Sequence, residues 1–130
     1  MQQTKENIDL LTNKIIGLAI EVHKVLGPGL LESAYEECMC FELAKADIGY
    51  ERQVQLPVKY KSIKLDCGYR IDIVVEKAII LELKAIETIL SIHEAQIITY
   101  LKLSNLSVGL LLNFNVPYMK NGIRRYVVDF

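Results

Sequence analysis

The sequence of 130 residues contains no tryptophan, only three prolines and only three cysteines. Three cysteines cannot form a disulfide framework, and Cys38 and Cys40 with a distant Cys67 are poorly spaced for a structural zinc site. These thiols are typical of the reducing cytoplasm, where we expect the protein to be located. No apolar run approaches the roughly 20 residues that a membrane helix needs. The polar start, MQQTKENIDLL, differs from a signal peptide, so we expect no membrane partner.

The sequence also has no run of basic residues and no Gly-x-x-x-x-Gly-Lys phosphate loop. Its net charge of -1 is unevenly distributed, because residues 1–50 contain eight acidic and four basic residues, whereas residues 51–130 contain eight and eleven. Only the second part therefore carries a charge that suits a polyanion. Contacts with a nucleic acid would depend on scattered basic residues: Lys59, Lys61, Lys64, Arg70, Lys102, Arg124 and Arg125.

The length and the 52% of apolar residues predict one globular domain over residues 1–130. Apolar residues three and four apart predict a first helix, which Gly27, Pro28 and Gly29 end. A second helix is predicted from about Leu30 to Asp47. The residues expected on its buried side are Leu31, Ala34, Tyr35, Cys38, Phe41 and Leu43.

Alternating or continuous apolar residues predict six strands, and a Ser-x-x-Glu capping box at residues 91–94 predicts a third helix that ends near Ser104. Pro57 indicates an edge or a bulge in the first strand. The nearly continuous apolar strand 107–113 is expected to be buried on both faces. The expected strands are 53–60, 63–65, 69–75, 78–83, 107–113 and 123–128. The order α-α-β-β-β-β-α-β-β predicts an α/β domain with helices packed on a mixed sheet.

Two of these strands carry charged residues within apolar runs: Asp72 in one, and Glu82 and Lys84 at the end of the next. Residues two apart on a strand share a face, so Glu82 and Lys84 point the same way. A three-residue loop, 76–78, would pair Asp72 with Glu82 and bring all three groups together. A two-residue loop would instead place Glu82 on the opposite face.

Two neighbouring carboxylates repel each other, and a divalent cation removes that repulsion. Asp and Glu oxygens are the ligands that Mg²⁺ prefers. Lys84 beside them would orient a water or stabilise negative charge, which suits the hydrolysis of a phosphodiester. The alternative is that Glu82 and Lys84 are ordinary solvent-facing residues of a half-exposed strand.

Asp72 with Glu82-Leu83-Lys84 resembles the signature of the PD-(D/E)xK nuclease superfamily, although Ile71 replaces the proline before the aspartate. Residues 29–35, GLLESAY, resemble the motif of the GxxExxY protein family. The sequences VHK (22–24), LGPG (26–29) and HEAQ (93–96) are also similar to that family. The resemblance covers about residues 8–128.

The resemblance implies a restriction-endonuclease-like core and a nuclease that uses Mg²⁺ or Mn²⁺ to hydrolyse DNA, with RNA as the less favoured substrate. It implies that Gln96 and Tyr100, on one face of the third helix, line the site, and that Glu32 supplies an additional acid. We expect Asp72 and Glu82 to bind one cation, with the Leu83 carbonyl and Glu32 as further ligands. His23 and His93 remain ambiguous between packing or surface roles and the site.

Two other functions fit the same sequence. One is a catalytically silent module on the same fold that binds nucleic acid or takes part in assembly. The other is a structural homodimer, in which the apolar strand 107–112 would form an interface rather than the core. The complete set of polar residues at the predicted site favours the nuclease.

Overall fold

The computed structural model describes residues 4–129, which form three α-helices, seven strands and one short 3₁₀ helix. The helices are α1 (Lys5–Leu26), α2 (Glu32–Lys45) and α3 (Ser91–Ser104), and the 3₁₀ helix is Met119–Gly122. The strands are β1 (Tyr50–Gln55), β2 (Val58–Tyr60), β3 (Ile63–Leu65), β4 (Arg70–Val75), β5 (Ile79–Lys84), β6 (Val108–Asn113) and β7 (Ile123–Val127). In residues 4–129, no helix has the length and apolar character that a membrane crossing requires.

Five strands form the central sheet in the order β1-β4-β5-β6-β7. Only β5 and β6 run parallel, and α3 makes the crossover between them. The sheet is therefore mixed, with helices on both faces, which confirms the predicted α/β restriction-endonuclease-like class. The strand 107–113 is confirmed as core, because every residue of β6 is buried in the middle of the sheet. It is not available as a dimer interface.

The predicted strand 53–60 is divided in two, so the structure has one strand more than expected. β1 ends at Gln55 and β2 begins at Val58, because Pro57 lacks the N–H that a continuous ladder needs. β2 pairs only with β3, in a two-stranded ribbon that is separate from the central sheet. The second half of the predicted strand therefore belongs to this ribbon and not to the central sheet.

The buried side of α2 also differs from the prediction. Leu31 and Phe41 are 78% and 65% exposed, whereas Tyr35, Met39 and Leu43 are fully buried. Tyr35 determines this orientation, because its ring stacks on Phe114, with ring centroids 4.5 Å apart. Its hydroxyl also donates to the carbonyl of Gly27, at 2.6 Å, which ties α2 to the turn after α1. Phe114 is 79 positions away in the chain, so helical periodicity alone could not reveal this contact.

The two faces of the central sheet contribute to two different clusters of buried residues. Ile79, Leu81 and Leu83 of β5 pack with α1 and α2 in the larger cluster. Ile80 of the same strand packs with Ile97 and Leu101 of α3 in the smaller one. Because strand side chains alternate between faces, the even-numbered residues of β5 point toward α3.

Candidate metal centre and adjoining cleft

The β4–β5 hairpin has the register that the metal site requires. Val75 pairs with Ile79 and Ile73 with Leu81, so the loop is residues 76–78 and Asp72 lies opposite Glu82. Glu76 and Lys77 both adopt positive φ, which closes this short loop. Asp72 and Glu82 therefore lie on the same face of the sheet, the one that α3 covers.

The two strands separate just where the carboxylates lie. The backbone pairing ends at Ile73 and Leu81, and the N–H of Leu83 donates instead to the Asp72 carboxylate, at 2.8 Å. In a strand, the N–H and C=O of one residue point toward the same edge. The carbonyl of Leu83 is therefore directed to the side on which Asp72 lies, and Asp72 is fixed by a backbone donor.

Glu82 is a carboxyl in an unusual environment. It is only 5% exposed, and its pKa is raised to about 9, first by burial and then by a hydrogen bond with the Asp72 carboxyl and by the negative charge of Asp72. Without a cation, Glu82 therefore keeps its proton near neutral pH, because ionising a buried carboxyl beside a second carboxyl is costly.

Lys84 belongs to the same group of side chains. Its positive charge opposes the rise in the pKa of Glu82, which requires the ammonium to lie near that carboxyl. Lys84 is half-buried, and none of the ion pairs formed among residues 4–129 includes it. Its ammonium is therefore free to interact with a substrate group.

Two side chains of α3 complete this environment. Gln96 and Tyr100 are one helical turn apart, and the Gln96 amide donates to the Tyr100 hydroxyl at 3.1 Å. Tyr100 is 7% exposed, and its pKa is raised first by burial and then by the negative charge of Glu82. Tyr100 therefore lies near the carboxylate pair, and Gln96 is joined to the pair through Tyr100.

A cleft of about 760 Å³ adjoins this group of side chains; we call it the α3 cleft. Lys84, Gln96 and Tyr100 line its inner end, and further α3 residues form one wall. The remaining lining residues are Val58, Cys67, Tyr69, Ile92, His93, Ala95, Thr99 and Leu103. The α3 cleft therefore lies between α3 and the β2–β3 ribbon, and Lys84 and Tyr100 connect it to the carboxylate pair.

The donor set suits a hard divalent cation held by few protein ligands. Two carboxylates and a main-chain carbonyl are oxygen ligands, and Mg²⁺ usually retains several waters beside one or two carboxylates. A cation would also displace the proton of Glu82. Among the residues that the structure describes, no three His, Cys, Asp or Glu side chains are grouped to hold a metal ion.

Glu32, predicted as an additional acid, is not brought to this pair. It is the exposed first residue of α2, and α2 packs on the opposite face of the sheet from α3. The prediction placed it on the flank of a buried stripe that began at Leu31. Since the stripe begins at Tyr35 instead, Glu32 remains at the helix N-terminus, where a negative charge is favourable.

The two histidines have structural contacts. His23 is buried in α1, and its Nε2 is 2.7 Å from the carbonyl of Val116, which ties α1 to the segment before the 3₁₀ helix. The Nδ1 of His93 accepts the N–H of Leu90, at 2.9 Å, so His93 caps α3. This bond replaces the predicted Ser-x-x-Glu box, and the carboxylate of Glu94 instead accepts the hydroxyl of Tyr126.

Asn113 is a residue of the site region that sequence reasoning missed. It is buried at the end of β6, opposite Lys84 in the parallel register. Its side chain accepts from the N–H of Ile86 at 3.1 Å and donates to the carbonyl of Ile86 at 2.9 Å. These two bonds fasten the chain that leaves β5 directly after Lys84. The sequence signal that could have identified Asn113 is its position as a polar residue at the end of an apolar strand.

Comparison with known proteins gave one match. The model of a family described as the PD-(D/E)XK nuclease superfamily matches residues 9–126. Searches of curated proteins and of solved structures returned no match. The matched range includes all five strands of the central sheet except the last residue of β7, and all of α1 except its first four residues. It also includes Asp72, Glu82 and Lys84.

Proposed function

The chain belongs to the PD-(D/E)XK nuclease superfamily, and we propose that it is a metal-dependent nuclease that hydrolyses phosphodiester bonds in DNA. Within the superfamily, the residues 29–35 support assignment to the GxxExxY family. The proposed cofactor is Mg²⁺ or Mn²⁺, with DNA favoured over RNA. The three free thiols support a reducing, cytoplasmic location.

The observation that carries this proposal is the pair formed by half-buried Asp72 and buried Glu82, beside Lys84, which forms no ion pair within residues 4–129. Desolvating two acids at the diverging ends of two strands is costly unless a cation accompanies them. A purely structural role would be served by apolar residues at both positions. The arrangement of Asp72, Glu82 and Lys84 is therefore better explained by a role in metal binding and catalysis than by a contribution to the stability of the fold.

Each residue has a distinct part in the proposed reaction. Asp72 and Glu82 would hold the cation with the Leu83 carbonyl, and the Leu83 N–H keeps the Asp72 carboxylate in position. A bound divalent cation would polarise the scissile phosphate and lower the pKa of a water. Lys84 orients that water or stabilises the charge that develops on the phosphate. Gln96 and Tyr100 offer an amide and a hydroxyl to the phosphate or to the water.

The experiment that tests this function is a cleavage assay with labelled single-stranded and duplex DNA in Mg²⁺ and in Mn²⁺. We expect cleavage by the parent protein and none by Asp72→Ala. Asp72→Asn serves as a second variant, because its side-chain oxygen still accepts the Leu83 N–H and preserves the fold. Equal cleavage by the parent and by both variants would assign the activity to another site or to a contaminant.

The alternative is a catalytically silent module that binds nucleic acid or takes part in assembly. It predicts DNA binding without cleavage in either metal. The same assay separates the two functions when binding is measured beside cleavage.

A further inference from the structure

We infer that the α3 cleft receives unpaired nucleobases, so that the substrate reaches the carboxylate pair as a single strand, with Tyr69 as a stacking platform. This inference rests on the proposed nuclease function and names the form of nucleic acid on which it acts. The occupant we commit to is a single strand of DNA, and single-stranded RNA shares the same base chemistry.

The chemistry of the cleft walls is the first argument. Among residues 4–129, none that lines the cleft is acidic and one is a lysine, Lys84, which lies at the inner end beside Glu82. The outer walls are largely apolar, with Val58 from the ribbon and Ile92 and Leu103 from α3. An occupant with apolar faces and an anionic group at the inner end matches this distribution, as a base and its phosphate do.

Tyr69 is the second argument. Tyr69 is 46% exposed and lines the cleft, and its ring meets the ring of Tyr100 edge to face, with centroids 6.2 Å apart. Its carbonyl accepts the N–H of Leu56 at 2.9 Å, which fixes the backbone from which the ring projects. A held ring with an open surface is suited to stack on a base.

A base pair in a duplex cannot use these walls. Its base faces are covered by the neighbouring pairs, and only backbone and groove edges are presented to a protein. Unpaired bases expose their faces and stack on aromatic side chains without regard to sequence. The cleft therefore distinguishes single-stranded from duplex nucleic acid and does not distinguish base sequences.

Cys67 provides a direct test, because its exposed thiol lines the cleft, whereas half-buried Cys38 lies in the groove between α1 and α2. The rate of alkylation of each thiol is followed by mass spectrometry in Ca²⁺. The probes are a single-stranded oligonucleotide, the blunt duplex of the same sequence and single-stranded RNA, each checked by gel to remain intact. We expect the single strands, and not the duplex, to slow alkylation of Cys67, while the rate at Cys38 stays constant.

The variants Tyr69→Ala and Tyr69→Phe provide the second measurement, with Tyr118→Ala as the control on the far side of the sheet. A stacking contribution of about 1–3 kcal/mol corresponds to about 5- to 100-fold weaker binding of the single strand by Tyr69→Ala. Tyr69→Phe and Tyr118→Ala should bind as the parent does.

Equal protection of Cys67 by single strand and duplex would overturn this inference and leave the nuclease function intact. Cleavage without protection of Cys67, or parent-like binding by Tyr69→Ala, would overturn it in the same way. Absence of both binding and cleavage would overturn the proposed function together with the inference.

Discussion

The face of the central sheet that α1 and α2 cover differs in kind from the face that α3 covers. Toward α1 and α2, strand β5 presents Ile79, Leu81 and Leu83, all in the larger apolar cluster. Toward α3, the same strand presents Ile80 and then Glu82 and Lys84. Strand β5 therefore contributes apolar core residues on one face and the proposed metal-binding and catalytic residues on the other. The register of the β4–β5 hairpin places Glu82 on the same face as Asp72.

The two faces make different demands on the sequence. Apolar residues on the α1 and α2 face are exchangeable in principle, because packing requires only volume and shape. On the α3 face, the positions of two carboxylates and a lysine are specific, and their burial carries a cost. Variants on the two faces should therefore fail in different assays.

Among the variants that compare the two faces of β5, the largest effect is expected from Lys84→Ala. Cleavage should fall by about 10²–10⁴-fold, as is typical for the loss of a group that transfers a proton or stabilises charge. Binding of Mn²⁺ should remain or become tighter, since a cation beside the dication is removed. Steady-state cleavage and calorimetry on the same preparation give both quantities. Unchanged cleavage with lowered stability would show that Lys84 is structural.

Leu81→Ala tests the other face of the same strand. Removing this fully buried side chain should lower the free energy of unfolding by about 2–5 kcal/mol, measured by urea denaturation. The folded fraction should bind Mn²⁺ with the affinity of the parent, because Leu81 points away from the carboxylates. Loss of metal affinity in this variant, at full folding, would contradict the division between the faces.

The raised pKa of Glu82 predicts an unusual pH dependence of stability for the protein in EDTA. The folded protein keeps this proton up to a pKa of about 9, whereas an unfolded glutamate loses it near a pKa of about 4.3. Between these values the folded state binds more protons, so the contribution to stability is full below about pH 4.3 and is lost as pH rises toward 9.

Glu82→Gln is the matched control for this dependence, since it has a similar shape and no proton to lose. The difference in melting temperature between Glu82→Gln and the parent should grow in favour of the variant as pH rises from 5 to 9. Saturating Mn²⁺ should reduce the difference by stabilising only the parent. A constant difference across this range would show that Glu82 titrates normally.

The smallest effect is expected from Glu32→Ala. Glu32 lies at the exposed start of α2, away from the carboxylate pair, so cleavage and metal affinity should equal those of the parent. Loss of its interaction with the helix dipole should change the free energy of unfolding by about 0.3–1 kcal/mol. A large drop in cleavage by this variant would contradict this prediction and show that Glu32 takes part in the reaction.

The sequence was sufficient for the parts of the fold that depend on local patterns. The bounds of α3 and the burial of β6 follow from a capping pattern and from apolar content. The sequence left two loop lengths open for the β4–β5 hairpin, and the register of the structure selects residues 76–78. The sequence was insufficient where distant contacts decide. The side that α2 buries depends on the stack of Tyr35 on Phe114, and the outward course of β2 depends on the break at Pro57.

The same limit applies to the candidate site. The side chains that β4, β5 and α3 bring together could be named from spacing and family resemblance. Asn113 and Tyr69 could not, because their importance depends on which chain segments lie beside the ends of β5 and β6. Glu32 was placed wrongly on the buried flank for the same reason, since the orientation of α2 is a long-range property.

The most direct test of the central claim, that Asp72 and Glu82 form one metal site, is a calorimetric titration with Mn²⁺ at pH 7.5 in two buffers of different ionisation enthalpy. We predict one Mn²⁺ per chain and the release of about one proton on binding, because the pKa of Glu82 is about 9 before the cation binds. Asp72→Ala should give no binding heat. Absence of binding at millimolar Mn²⁺, or an unchanged isotherm for Asp72→Ala, would contradict the claim.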